Sequence, residues 1–134
     1  MKRRKALLSI YTTVASVGCL GLGSSQSKES KLAWIWLLND RDEPYEVDVV
    51  VEDNGETVFS ESYQLGTEPG TANIREDNPV GGTGQYVVRA TMDGETREVD
   101  TIDAVDGDEN CIGVRFSLLN NGSIDYWTKS MQRC

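Results

Sequence analysis

Residues 45–65, YEVDVVVEDNGETVFSESYQL, decide the fold. Tyr45, Val47, Val49 and Val51 alternate with Glu46, Asp48 and Glu52, the period of a strand with one buried and one solvated face. Asp53-Asn54-Gly55 is a hairpin signal, and residues 56–65 return as a second strand. In a regular ladder, a two-residue Asn54-Gly55 loop would set Val49 opposite Ser60 and throw Phe59 onto the acidic face. A three-residue loop sets Val49 opposite Phe59 and Tyr45 opposite Tyr63, which keeps the faces in step. The expected turn is therefore type I, with Gly55 in a left-handed bulge.

Two more hairpins follow the same logic. Around Asp93-Gly94, a two-residue type I′ loop pairs Val88 with Val99 and Arg89 with Glu98, whereas a three-residue loop would oppose Arg89 to Arg97. Near the end, the loop Asn120-Asn121-Gly122 pairs Phe116 with Tyr126 and Leu118 with Ile124. It also sets Arg115 beside Trp127 on the outer face, in range for a cation–π contact. Upstream, residues 32–39 (LAWIWLLN) form an apolar leading strand long enough to be buried on both faces. Trp34 and Trp36 share one face of it and are expected in the core. A short strand near Thr71 to Arg75 completes the set.

Seven or eight strands at this spacing predict an all-β fold, a two-sheet antiparallel sandwich in one domain. Residues 84–91 (GQYVVRAT) carry the phrase G-x-Y-x-V-x-A and resemble a strand of immunoglobulin-like extracellular domains. That resemblance implies an immunoglobulin-like or transthyretin-like sandwich. No tryptophan lies buried between two inter-sheet cysteines in the antibody manner.

The first residues speak to location. Lys2, Arg3, Arg4 and Lys5 lead into a mildly apolar run that ends at Gly18-Cys19, a secretory signal layout too short to span a membrane. Arg3-Arg4 resembles the twin-arginine export signal. Gly18-Cys19 resembles a lipobox, although Ser16 stands where leucine is usual. The reading is a signal peptide over 1–18, a flexible tether over 19–30 beginning at a lipidated Cys19, and the sandwich over 31–134. Ordinary cleavage and free secretion is the alternative.

Four of the 13 Lys+Arg lie in that leader, so nine face all 22 Asp+Glu in the remainder. Only Lys28, Lys31 and Lys129 are lysines there. Acid-rich, lysine-poor surfaces suit multimolar salt, where charge repulsion is screened within about 3 Å. With the leader, the chain resembles small secreted lipoproteins of halophilic archaea, which implies anchoring at the outer face of the cell membrane. Nucleic acid is excluded as a partner, because phosphate neutralisation needs clustered Lys/Arg.

Chemistry is sparse. The chain has no histidine, so Ser-His-Asp and Cys-His catalysis are impossible. Gly81-Gly82-Thr83-Gly84 lies between strands and reads as a turn, not a phosphate loop. The acidic connector holding Asp103, Asp106 and Asp108 departs from EF-hand spacing and reads as a solvated link, not a metal site. The expectation is no enzyme, no cofactor and no resident metal.

Six further positions matter. Cys111 and Cys134 form an even pair in an oxidising compartment and are expected to bond, Cys134 turning back because Cys111 lies opposite Met131. Asn121-Gly122-Ser123 is a glycosylation sequon at a hairpin tip. Tyr63, Arg115 and Trp127 are the expected contact surface of a monomeric binding module for a surface protein or glycan. An extracytoplasmic binder of small ligands or cations, and a protease inhibitor presenting residues 66–84 as a loop, are the competing readings.

Overall fold

A computed structural model describes residues 29–105 and 109–134 of the 134-residue chain. Among the described residues, nine strands form two facing sheets. One contains β1 (Ser30–Asn39), β4 (Asn73–Asp77), β8 (Cys111–Leu118) and β9 (Ile124–Met131) in the order β4-β1-β8-β9, with the two-residue β5 (Thr83–Gly84) also paired to β1. The other runs β3-β2-β6-β7, from β2 (Tyr45–Asp53), β3 (Glu56–Leu65), β6 (Tyr86–Met92) and β7 (Glu95–Asp100). A single helical turn, α1 (Thr101–Ala104), links β7 toward β8 and is capped by the Asp100 carboxylate, which accepts from Ile102 N at 3.0 Å. Ser30, the last residue assigned to the tether, already lies buried in β1.

Alternation builds the core. Val47, Val49 and Val51 of β2 and Val88, Ala90 and Met92 of β6 point inward. They meet Ile112, Val114, Phe116 and Leu118 of β8, all at most 1 % exposed. Residues 66–84, proposed above as a loop, instead contain β4 and β5, which divide the segment into two shorter connections.

Three features depart from the sequence reading. The sheets are not wholly antiparallel, since β1 runs parallel to β8 and places the leading strand in the interior of its sheet. The first hairpin keeps its faces in step by another device. Asn54 (φ 53°) and Gly55 (φ 90°) form a two-residue turn with both residues left-handed, as type I′ requires, and Asp53 pairs with Glu56. A bulge at Val58 then shifts the ladder, so Val51 meets Phe59, Val47 meets Tyr63 and Tyr45 meets Leu65. Parity was the right constraint; the inserted residue sits in the strand instead of the loop. The third departure is the tryptophan pair of β1, described below.

The other hairpins fall in the expected register. Asp93 (φ 56°) and Gly94 (φ 80°) turn β6 into β7 with Val88 opposite Val99 and Arg89 opposite Glu98. In β8–β9, Phe116 meets Tyr126, Leu118 meets Ile124 and Arg115 meets Trp127.

Polar contacts close both open flanks of the sandwich. On one, Tyr63 of β3 donates its hydroxyl to Glu76 of β4 at 2.9 Å. On the other, Arg97 of β7 donates Nε to the Ile124 carbonyl at 3.1 Å and lies over the Tyr126 ring at 5.2 Å.

Candidate functional site

The register of β1 shifts between Leu32 and Trp34. That bulge lets Leu32, Ile35 and Leu37 all face the core while Trp34 and Trp36 emerge on the outer face of their sheet. The tryptophans are thus outside the core, contrary to expectation.

Pairing then assembles a row across four strands. Trp36 lies opposite Arg75 of β4 on one side and Arg115 of β8 on the other, and Arg115 lies opposite Trp127 of β9. Cation and indole alternate across the sheet at the inter-strand spacing of about 4.8 Å. The Arg115 guanidinium carbon is 5.7 Å from the Trp36 ring centre and 4.9 Å from that of Trp127. Arg115 Nε is buried without a hydrogen-bond partner, while its guanidinium lies within cation–π range of both rings.

A second row lies beside the first. Trp34 sits between Asp77 and Gly113, with Lys129 beyond. Its ring stacks on Trp127 at 6.5 Å and 21°, meets Trp36 edge-on at 6.3 Å, and carries the Arg75 guanidinium 4.9 Å above it. Arg75 is steadied by Asp77 through an Nε–Oδ1 ion pair of 2.9 Å. Trp34 is only 7 % exposed, whereas Trp127 is 45 % exposed. The cluster therefore has a fixed base and an accessible edge.

Charge separates the two outer faces. Alternation puts Glu46, Asp48, Glu52, Glu98 and Asp100 on the outside of the β2-containing sheet, where Arg89 is held by Glu52 at 2.9 Å and Glu98 at 2.6 Å. That bonding keeps the Glu52 carboxyl below, and the Arg89 guanidinium above, their ordinary ranges, with the hydrogen bonds as the leading cause. The tryptophan face carries Lys31, Arg75, Arg115 and Lys129 against Asp77 and Asp125. An acidic chain has gathered cations on one face.

Beside Trp34 that face dips into a cavity of about 330 Å³ lined by Lys31, Trp34, Arg75, Asp77, Asn78 and the C-terminal tail. Asn78 sits there in the left-handed region (φ 48°), with its amide donating to the Ala33 carbonyl at 2.8 Å.

The expected site residues are only partly together. Arg115 and Trp127 stand side by side in the row. Tyr63 does not join them, being half-buried in the far flank, where desolvation first and the Glu76 hydrogen bond second push its hydroxyl pKa well up. Cys111 and Cys134 are bonded, with Cα atoms 5.7 Å apart, and the tail folds back over the tryptophan face. Asn121 is exposed, its Oδ1 accepting from Ser123 N and Oγ at 3.0 and 2.6 Å. Asp103 lies exposed on α1, and no cluster of three His, Cys, Asp or Glu able to hold a metal occurs among the described residues. Cys19, Asp106 and Asp108 lie outside the described residues. Trp34, Trp36, Arg75 and Gly113 were missed as site residues, because the bulge that turns the indoles outward leaves no mark on the strand's apolar run.

Comparison with known proteins agrees with this architecture. The model of the Halobacterial Ig-like domain family matches residues 43–125, from the turn before β2 into β9. Searches of curated proteins and of solved structures found no match. Arg75 and Arg115 fall inside the matched span, whereas all three tryptophans of the cluster lie outside it. With more than half its length matched and the sandwich in place, the chain belongs to the Halobacterial Ig-like domain family.

Proposed function

We propose that this protein is a non-enzymatic module tethered by a lipid on Cys19 to the outer face of the cell membrane, which uses the tryptophan face as its contact surface. The observation that carries this reading is the row Arg75–Trp36–Arg115–Trp127, fixed by strand register and left facing solvent. Aromatic and arginine side chains anchor interfaces because they bury large rigid area with few rotamers to freeze. In strong salt, distant charges cannot steer a partner, so short-range stacking and direct guanidinium contacts must supply the binding. The linker-like composition of residues 21–29 supports a tether that lets this face reach its partner. Glycosylation of Asn121, at the far end of β8–β9 from the disulfide, would leave the face open.

The test is expression in a halophilic archaeal host of the wild type and Cys19→Ser. The wild type should remain in the membrane fraction with a lipid mass on an N-terminal cysteine. Cys19→Ser should pass into the medium with the disulfide formed. A wild type that is itself secreted without lipid overturns the anchoring.

A further inference from the structure

We propose that the tryptophan face, and the cavity beside Trp34 in particular, binds an acidic saccharide, a sugar chain whose rings carry carboxylate or sulfate groups. This inference rests on the contact-surface reading above and names the partner's chemistry.

Shape is the first argument. The exposed feature is two adjacent rows of side chains about 14 Å long, three inter-strand steps, beside a small cavity of about 330 Å³. A stable protein partner needs about 800 Å² per side with a broad desolvated centre. A narrow band of two rows beside one cavity suits a linear chain of small rings.

Composition is the second. A pyranose ring has an apolar face of C–H bonds, whose positive edge matches the negative face of an indole. Trp127 keeps 45 % of its surface exposed beyond its contacts with Trp34 and Arg115, and Trp34 lines the cavity. Fixed hydrogen-bonding groups surround these rings, and Arg75 is the most important of them. Asp77 engages its Nε, which orients the guanidinium over Trp34 and directs its remaining N–H groups away from that ion pair. Sites for small polar ligands are built this way, with an aromatic wall and a few placed polar groups.

Charge is the third. In a chain where acids outnumber bases, Lys31, Arg75, Arg115 and Lys129 outnumber Asp77 and Asp125 on this face. A neutral sugar would not need them. A carboxylate or sulfate takes two parallel N–H contacts from arginine, an interaction short enough to survive multimolar salt. Arg75 and Arg115 stand two strands apart, about 10 Å, so an extended chain acidic at every second ring presents anions at a similar repeat.

The experiment titrates the full chain in multimolar KCl with oligogalacturonate, following tryptophan fluorescence. Parallel titrations use a neutral glucan and polyglutamate. Oligogalacturonate should give a saturable change, weakened at least tenfold in Arg75→Gln and in Trp127→Ala, with both variants melting near the wild type. The neutral glucan and polyglutamate should give none. Saturable binding of polyglutamate alone overturns the saccharide but keeps the contact surface, reassigning it to an acidic protein. Equal binding of the neutral glucan overturns the role of the cations. No response to any probe, or a response unchanged in both variants, overturns the proposal. Since either variant could lose its fold, a wild-type melting temperature raised by oligogalacturonate and not by neutral glucan is the second readout.

Discussion

The indole of Trp34 lies flat on Gly113, so close that a β-carbon there would stand 2.1 Å from Cε2. The absence of a side chain on β8 is what lets an aromatic ring from β1 settle against the sheet and stack on Trp127 of β9. Gly113 is part of the contact surface although it contributes no group to it.

Gly113→Ala should therefore lift Trp34 and break its stack. The cost is that of overpacking a tight contact, about 1–3 kcal/mol. Thermal melting measures the loss, and a shift of tryptophan emission toward exposed indole reports the displaced ring. An alanine variant with unchanged melting and emission would show that the ring does not rest there.

Cys134→Ser should release the tail that folds over the same face. Opening a loop whose ends are 23 residues apart costs about 3 kcal/mol in the chain-entropy account. Chemical denaturation of oxidised wild type against the variant checks it. Reduced wild type should behave like the variant.

Tyr63→Phe tests the flank. Losing the hydroxyl's hydrogen bond to Glu76 should cost about 1 kcal/mol near neutral pH. The hydroxyl pKa is raised in the fold, so the stabilisation is complete below the ordinary tyrosine value of about 10 and is lost as pH rises toward the folded value. Tyr86, raised first by burial, adds to the same alkaline loss. The gap between wild type and Tyr63→Phe should narrow above about pH 10 in denaturation curves. A gap that stays constant would mean that Tyr63 does not titrate with unfolding.

Much of this molecule was legible because period-two alternation and turn chemistry are local. Val47, Val49 and Val51 announced their face, and Asp93-Gly94 announced its turn. Arg115 and Trp127 could be paired because one hairpin holds both. The limits were equally physical. A bulge at Val58 and a loop bulge at Gly55 both preserve parity, so alternation alone does not choose between them. Nothing local says that β1 runs parallel to β8, a pairing made across more than 70 residues. Trp34 and Trp36 looked like core because apolar content does not state direction. Arg75 gave no signal at all, since its role comes from lying across β1 from Trp36. Tyr63 misled because its exposure depended on which strand closed the flank.

Oxidative footprinting of the protein in place on intact cells reports whether the tryptophan face is covered there. Trp127, 45 % exposed in the isolated molecule, should oxidise readily after purification and be protected on the cell. Exposed residues of the opposite sheet, Val58 among them, should label equally in both states. Equal oxidation of Trp127 on cells and in solution, at full surface expression, would show that the tryptophan face is not a contact surface.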